Sequence, residues 1–433
     1  MIKNKAYRAV EVKHVCLEEV LGQAAPGAVT VGIDLGKFRF LVVVRFANGR
    51  FLRPWKVENP SEIEAFVRLL ERLSKHHLVT VAMESTGSYG DALRCELAAV
   101  GLPVVRVSGK AAKDYAEIFD GVPSQHDGKD AAIIAELAAL GKARPWPYQA
   151  LSEEDAELAY WVDKVDSRQK MENFWMGRLE ALLARHWPEL PRLLRLNSVT
   201  LLSAMAHYGG PAALAADPEA RQRLTGWSRG ALGKAILDEI LASAAKTYGA
   251  KQNAYEVKSL QEQAAAALAA RRERKAAHRR LKELAERHEI LRRQAKVVGA
   301  VTACVAWVAL GDPRNYHCGQ AYRKAKGLNL KERSSGQYQG RLKITKRGPS
   351  IVRRWLYFAA LRAVKTSSAR DWYEAKKAKD QGRGKRALVG VMRKLSLAMY
   401  AVGARGEIYD PKRLFPGKVR RKKGRRGQPA VGV

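Results

Sequence analysis

The chain has 433 residues, of which 47% are hydrophobic, so it is long enough for two or three folded domains with their own cores. Lysine and arginine number 78 against 43 acidic residues, giving a formal charge of +35, and this excess favours nucleic acid as a partner over an anionic membrane. The apolar runs are too short to span a bilayer, no export signal follows Met1, and the four cysteines lack metal or disulfide spacing. We therefore expect a reduced protein of a bacterial or archaeal cytoplasm.

The first predicted domain, residues 29–147, follows an N-terminal extension (1–28) and opens with a meander of three strands. Apolar runs predict strands at 29–34 and 40–46, and an Asn-Gly turn leads into a third strand at 51–57. The following pattern alternates helices and strands: a helix after Ser61, a strand at 78–83, a helix at 89–100, a strand at 102–107, and helices at 110–119 and 129–141. This order, βββαβαβα, is that of the ribonuclease-H-like (RuvC-like) α/β fold.

The rest of the chain is predicted to be mainly helical. Residues 148–296 form a helical region in which 256–294 fits a long packed helix and a coiled coil equally well. Residues 297–409 are predicted to form a further, mainly α domain with a loop at 331–348. The tail, 410–433, is strongly basic and is expected to be disordered until it meets phosphate.

Four carboxylates occupy positions that suit a metal site. Asp34 and Glu84 each end an apolar strand, and Asp127 and Asp130 lie three residues apart where a helical pattern begins. Carboxylates gathered at a sheet edge can hold two divalent cations for phosphoryl transfer, and Mg²⁺ prefers oxygen ligands. Each acid alone also has an ordinary explanation as a helix cap or a first-turn residue.

Several motifs together resemble the DEDD transposases of the insertion-sequence-110 family. They are Gly32-Ile-Asp-Leu-Gly-Lys37, Met83-Glu-Ser-Thr-Gly-Ser-Tyr89, His126-Asp-Gly-Lys-Asp-Ala131, Gly327-Leu-Asn-Leu-Lys-Glu-Arg-Ser-Ser-Gly336, Ile344-Thr-Lys-Arg-Gly348 and Arg353-Arg-Trp-Leu356. The resemblance covers roughly residues 29–145 and 297–402. It departs from the family at 296–302, where a Pro-Gly-Ile-Gly-like hairpin is common and this chain has only Gly299.

The resemblance implies a RuvC-like domain, a coiled-coil region and a C-terminal transposase domain with a nucleophilic serine. The family's metal-binding acids match Asp34, Glu84, Asp127 and Asp130. The resemblance therefore implies that these residues bind two ions of Mg²⁺ or Mn²⁺. Ser335 matches the nucleophile, with Ser334 as the alternative. Family members recombine DNA under the guidance of a structured RNA encoded by the element, so double-stranded DNA, a guide RNA and a homodimer or homotetramer are the expected partners.

Basic residues around the serine motif are the predicted nucleic-acid ligands. They are Arg333, Arg341, Lys343, Lys346, Arg347, Arg353 and Arg354. Tyr338, Trp355 and Tyr357 are interleaved with them and could stack on unpaired bases, whereas Leu356 and Phe358 are expected in the core.

The sequence thus predicts a DNA transposase or recombinase with a carboxylate metal site and a phosphoserine intermediate. Two alternatives stay open. One is a RuvC-like junction nuclease that uses the four acids and water without serine chemistry, and the other is a nucleic-acid-binding protein without catalysis.

Overall fold

The computed structural model of the chain describes residues 8–84, 87–122, 126–332, 334–335, 338–340 and 342–416. The chain divides into two compact units, Met1–Ala150 and Leu151–Val433. The predicted boundary at 147/148 lies close to this division, and the predicted boundary at 296/297 lies inside the second unit. The domain limits taken from the sequence therefore stay predictions.

The described residues of the first unit form a seven-stranded sheet and five α-helices. The strands are β1 (Val10–Glu11), β2 (Ala28–Asp34), β3 (Arg39–Arg45), β4 (Trp55–Glu58), β5 (Leu78–Glu84), β6 (Val104–Val107) and β7 (Arg144–Pro145). The helices are α1 (Leu17–Gln23), α2 (Ile63–Ser74), α3 (Asp91–Ala99), α4 (Gly109–Asp120) and α5 (Asp127–Ala139).

The sheet has the strand order β1-β4-β3-β2-β5-β6-β7. Strands β2, β3 and β4 form the antiparallel meander, and β5 and β6 continue from β2 in parallel. This arrangement confirms the ribonuclease-H-like fold. The short edge strands β1 and β7 were not predicted, and the third strand begins later than expected because Phe51 makes only an isolated bridge to Arg45.

Alternation along the central strands divides the unit between two cores, because successive side chains of a strand point to opposite faces. Val29, Val31 and Ile33 of β2 belong to a core that also contains residues of α2 and α3. The opposite face of the sheet is covered by α4 and α5, with Ala82 and Val43 in the smaller clusters there. Strands β2, β3, β5 and β6 therefore each have one set of side chains under α5.

The second unit is mainly helical. Its helices are α6 (Glu153–His186), α7 (Leu190–Leu193), α8 (Val199–Tyr208), α9 (Pro211–Ala216), α10 (Ala220–Ser228), α11 (Lys234–Ala245), α12 (Ala254–Arg287), α13 (Glu289–Val298), α14 (Ala300–Leu310), α15 (Gly319–Ala325), α16 (Ser350–Ala363), α17 (Ser367–Lys379), α18 (Gly384–Ala404) and α19 (Pro411–Leu414). Four two-residue strands precede α16, namely β8 (Leu330–Lys331), β9 (Ser334–Ser335), β10 (Tyr338–Gln339) and β11 (Lys343–Ile344).

The two longest helices, α6 and α12, pack side by side along much of their length. Their antiparallel direction follows from three ion pairs: Glu157 with Arg280 at 2.7 Å, Arg168 with Glu273 at 2.6 Å, and Arg185 with Glu256 at 3.2 Å. The buried face of α12 consists mostly of alanine, with Leu260, Leu268 and Leu281. The predicted region 256–294 is therefore two helices, α12 and α13, that meet at His288, and α12 has α6 as its packing partner.

Each end of this helix pair enters a different core. At one end, Leu158 and Leu281 join the core built by α13, α14, α16 and α18. At the other end, Leu183 and Leu260 join a separate core formed with the short helices between them, α7 to α11. The helix pair therefore separates a small helical bundle from the part of the unit that carries the serine motif.

One helix, α18, is long and apolar enough to cross a membrane by length and composition alone, although the sequence predicted no such segment. Of its most apolar window, 61% is buried inside the protein, among residues of the second unit's largest core. The first residues of the predicted tail, 410–433, are ordered, because Pro411–Leu414 form α19 and Phe415 is buried against Trp372. Residues 417–433 lie outside the described part of the chain.

Candidate active site

Asp34 and Glu84 lie at the same end of the central sheet. Ile33 of β2 pairs with Met83 of the parallel strand β5, so the next residue on each strand is one of these two acids. Ile33 and Met83 both point into the core on the α2 side, and alternation therefore places both carboxylates on the side covered by α5. Both side chains are half-buried.

Helix α5 approaches this face closely because the strand beneath it carries a glycine. A Cβ atom on Gly32 would lie 2.1 Å from the carbonyl oxygen of Ala131 and 2.5 Å from the backbone nitrogen of Ala135. Only a residue without a side chain permits this distance. Since Gly32 is two residues before Asp34, the first turn of α5 is brought beside that carboxylate.

The first turn of α5 presents Asp127 and Asp130. His126 is the N-cap, and its side chain accepts a hydrogen bond from the backbone nitrogen of Lys129 at 3.1 Å. The helix therefore begins two residues earlier than the sequence predicted, and Asp127 is its first residue and not its cap. Asp127 is exposed and Asp130 is half-buried.

The segment that leads into α5 is held by a buried lysine. The Lys129 ammonium group is fully buried and donates hydrogen bonds to the Asp120 carboxylate and to the Val122 carbonyl oxygen, each at 2.6 Å. These bonds attach the end of α4 to the start of α5 and direct this positive charge toward Asp120. The role of Lys129 is not visible in the sequence, because its burial depends on a contact with Asp120, nine residues earlier in the chain.

The carboxylates perturb one another. Burial, followed by repulsion from Asp130, Asp127 and Glu84, raises the pKa of Asp34 from its ordinary value of 3.8 to about 6. Burial and the charge of Asp130 also raise the pKa of Glu84. The pKa of Asp130 is raised by burial and by Asp127, although His126 and Lys129 act in the opposite direction. The four predicted acids thus form one electrostatically coupled group.

Glu84 is positioned by a second close approach. A Cβ atom on Gly109, the first residue of α4, would lie 1.9 Å from the Glu84 Oε1 atom. The Glu84 carboxylate therefore occupies the space that a side chain at 109 would take. Nothing in the local sequence identified Gly109, because the contact joins separate segments of the chain.

The group suits a divalent cation in charge and in ligand type. Hard cations such as Mg²⁺ take carboxylate oxygens, and bound positive charge would relieve the repulsion that raises these pKa values. Within the described ranges, no three His, Cys, Asp or Glu side chains surround one point closely enough to hold an ion. The carboxylate oxygens are therefore of the right chemical type for a divalent cation, but the described residues do not form a complete coordination shell.

Ser335 lies in the second unit, in the strand β9. It pairs with Tyr338 of β10 in a short antiparallel hairpin, and its side chain is exposed. A second pairing, Lys343 with Lys331, joins β8 to β11 on either side of this hairpin. The serine is thus presented to solvent at a hairpin, while the four acids belong to the other unit. The Ser334 side chain is outside the described part.

The predicted nucleic-acid ligands fall into three groups. Lys343, Lys346 and Arg347 are exposed, whereas Arg333 and Arg341 lie outside the described residues. Arg353 donates a hydrogen bond to the Gly348 carbonyl oxygen at 2.6 Å, and Arg354 forms an ion pair with Asp166 of α6. These last two arginines therefore have partners within the protein.

The aromatic residues near the motif are placed differently from the prediction. Trp355 is 6% exposed and packs near Phe358, which is itself 37% exposed. Phe358 was expected in the core and Trp355 was a candidate for base stacking. The structure shows the opposite, with Trp355 buried and Phe358 partly exposed. Leu356 is buried as predicted. The helical face of α16 is rotated relative to the expectation because Trp355 packs against His278 of α12.

The sheet has the ribonuclease-H-like strand order, and the four carboxylates lie at the end of its central strands. Comparison with protein families specifies the class of protein. Residues 31–188 match the DEDD transposase family of IS110 elements, and residues 291–374 match the transposase family described as IS116/IS110/IS902. The two ranges together span more than half of the chain. The chain therefore belongs to the IS110 family of transposases, and it is an enzyme that acts on DNA.

Similar solved structures include two of the RuvC protein of Thermus thermophilus. One shows 20% identity, covers 27% of this chain and 99% of the RuvC chain, and has a TM-score of 0.22. The other, a complex with a Holliday junction substrate, shows 17% identity, covers 28% and 99%, and has the same TM-score of 0.22. Among curated proteins, none matches this sequence. Membership of a DEDD transposase family implies dependence on a divalent metal.

Proposed function

We propose that this transposase cuts and rejoins DNA at a site where Asp34, Glu84, Asp127 and Asp130 bind two Mg²⁺ or Mn²⁺ ions and Ser335 is the nucleophile. The observation that carries the proposal is the placement of Asp34 and Glu84 at the same end of paired strands, against which the first turn of α5 packs with Asp127 and Asp130. The raised pKa of Asp34, about 6, agrees with this placement. Such a group is costly for folding, and metal-assisted phosphoryl transfer is a chemistry that requires it.

The serine would conserve the energy of the broken bond. The Ser335 Oγ atom attacks the phosphorus of a phosphodiester, its proton passes to a base or to water, and the bond from phosphorus to one sugar oxygen breaks. The leaving sugar oxygen takes up a proton from an acid or from water. The products are one strand joined to Ser335 through a phosphodiester and one strand with a free hydroxyl group, and attack by a hydroxyl of another strand reverses the step. When bound, the metal supplies charge that activates the attacking oxygen and stabilises the leaving one.

Two observations support Ser335 in this role. Its side chain is exposed, which a nucleophile for a macromolecular substrate requires, and it lies between the basic residues Lys331 and Lys343 of the flanking strands. Because the acids and the serine belong to different units, the proposal also allows them to come from different subunits of a homodimer or homotetramer.

Nucleic acid is held, in this proposal, by the exposed cations Lys343, Lys346 and Arg347, together with Arg333 and Arg341. Arg353 and Arg354 shape the site from within, in keeping with their internal partners. The net charge of +35 suits both donor and target DNA and a structured guide RNA encoded by the element. The protein would act in a bacterial or archaeal cytoplasm.

The test is a recombination assay with purified protein, paired DNA sites and Mg²⁺, with and without the flanking transcript of the element. Ser335→Ala should abolish both recombination and covalent protein–DNA adducts, while the adjacent Ser334→Ala serves as the matched control and should retain both. Glu84→Gln, which keeps shape and removes charge, should abolish both products.

Three outcomes would contradict parts of the proposal. Recombination without RNA would refute guidance. Strand cleavage that survives Ser335→Ala without adducts would favour the water-dependent junction nuclease. Recombination that survives Glu84→Gln and Asp34→Asn would favour a binding protein without catalysis at this site.

A further inference from the structure

The far end of the second unit presents two nearly bare tyrosine rings. Tyr248 is 89% exposed and Tyr255 is 84% exposed, although both lie in a well-packed part of the fold. Tyr248 lies in the turn between α11 and α12, residues 246–253, and Tyr255 lies in the first turn of α12. We name residues 246–255 the tyrosine loop. This loop falls between the two family matches, which end at 188 and resume at 291. The family motifs therefore do not account for these rings.

The backbone of the tyrosine loop is fixed by the helices around it. The Glu189 carboxylate accepts hydrogen bonds from the Thr247 hydroxyl at 2.7 Å and from the Tyr248 backbone nitrogen at 2.9 Å. The Ala250 carbonyl oxygen accepts a bond from the buried His186 ring at 2.9 Å. A Cβ atom on Gly249 would lie 2.1 Å from the His186 carbonyl oxygen, so only glycine fits.

The second half of the loop is fixed as well. Asn253 and Glu256 form a capping box at the start of α12, with bonds of 2.9 Å in both directions. The Gln252 side chain donates a hydrogen bond to the Gly209 carbonyl oxygen at 2.9 Å. The two rings are therefore held at a rigid site and exposed, an arrangement that reduces the ordering cost of binding.

The charge around the rings is positive. Lys246, Lys251 and Lys258 are exposed and flank the tyrosines in sequence. The carboxylates of Glu189 and Glu256 are occupied, since Glu189 binds the loop backbone and Glu256 caps α12 and pairs with Arg185. Aromatic rings for stacking beside cations for phosphate are the combination that binds unpaired nucleotides.

We propose that the tyrosine loop is a stacking platform for an unpaired segment of RNA. Unpaired bases are permanently available in the loops of a structured RNA, whereas duplex DNA offers them only after it is opened. The choice of RNA as the partner rests on the proposed function. The choice of this surface rests on the two exposed rings and the neighbouring lysines. The bases stack on Tyr248 and Tyr255, and Lys246, Lys251 and Lys258 contact the phosphates.

The test uses a 16-nucleotide oligouridine RNA with 5-iodouridine at alternate positions and the full-length protein. Light crosslinks the iodinated base to a stacked aromatic ring, and mass spectrometry locates the crosslink. We expect crosslinked peptides at Tyr248 or Tyr255. Fluorescence anisotropy with the same RNA should show about tenfold weaker binding for the double variant Tyr248→Ala/Tyr255→Ala. The double variant to phenylalanine should bind like the wild type, because the rings remain.

Tyr160→Ala is the matched control, since Tyr160 is an exposed tyrosine on α6 of the same unit, and it should leave the affinity unchanged. Absence of crosslinks from the loop, or unchanged affinity of the double alanine variant, would overturn the platform. Equal loss for the deoxy version of the probe would overturn the choice of RNA. If recombination needs RNA but the crosslinks fall outside the tyrosine loop, only this inference is refuted. If the loop is crosslinked but the protein recombines without RNA, only the RNA-guided function is refuted.

Discussion

Removal of one negative charge from the carboxylate group should stabilise the first unit while it abolishes activity. Asp34→Asn keeps the shape of the side chain and removes the charge that burial and three neighbouring acids disfavour. A pKa raised from 3.8 to about 6 corresponds to about 3 kcal/mol, since a tenfold change in proton affinity is worth about 1.4 kcal/mol. Because the carboxylate is partly open to solvent, we expect Asp34→Asn to raise the free energy of unfolding by about 1–2 kcal/mol.

The pH dependence has a definite sign. Asp34 binds its proton more tightly in the folded chain than in the unfolded chain, so its unfavourable contribution is fully present above pH 6 and is relieved as the pH falls from about 6 toward 3.8. The stability advantage of Asp34→Asn over the wild type should therefore be largest at pH 7.5 and nearly absent at pH 4. Added Mg²⁺ should stabilise the wild type more than the variant.

The assay is urea unfolding in EDTA, in which pulsed hydrogen exchange and mass spectrometry follow the peptides of β2 and β5. This readout reports on the first unit alone. Asp114→Asn is the matched control, because Asp114 is an exposed partner of Lys110 in the same unit, and it should change the free energy of unfolding by less than about 0.5 kcal/mol. A less stable Asp34→Asn, or a difference that does not change with pH, would refute the reasoning.

Three further substitutions test how the site is positioned. Gly32→Ala should lower the free energy of unfolding by about 3 kcal/mol, because its Cβ would overlap the α5 backbone, whereas Gly22→Ala, with nothing within 4 Å, should be neutral or slightly stabilising in the same urea assay. Gly109→Ala should leave the fold intact and weaken the Mg²⁺-induced stabilisation, because it displaces the Glu84 carboxylate; unchanged metal titration would contradict this. Lys129→Met should cost about 2 kcal/mol, since it leaves a carboxylate and a carbonyl oxygen without their donor, and wild-type stability would contradict that role.

The strands and acids could be predicted because their signals are local. A run such as Val29 to Asp34 has the composition of a buried strand, and its last residue falls on the sheet edge wherever the neighbours lie. The edge strand β1 has only Val10 and Glu11, too few residues for any periodicity, and it exists because the Val10 nitrogen bonds to Pro54. Its pairing is a property of the folded chain.

The glycines and the lysine that shape the site could not be predicted for a similar reason. Gly32 and Gly109 matter because of atoms that belong to other segments, and a single sequence does not show which segments meet. The helix α16 shows the same limit, since its periodicity permits two orientations. The contact of Trp355 with His278 selects the one in which Phe358 is exposed.

The paired helices α6 and α12 also fix a length scale. A helix of 34 residues rises about 50 Å at 1.5 Å per residue, and the two cores of the second unit sit at opposite ends of this rod. The tyrosine loop is at one end and the helices next to the serine hairpin are at the other. An RNA held at the proposed tyrosine loop must therefore extend about 50 Å to reach those helices as well.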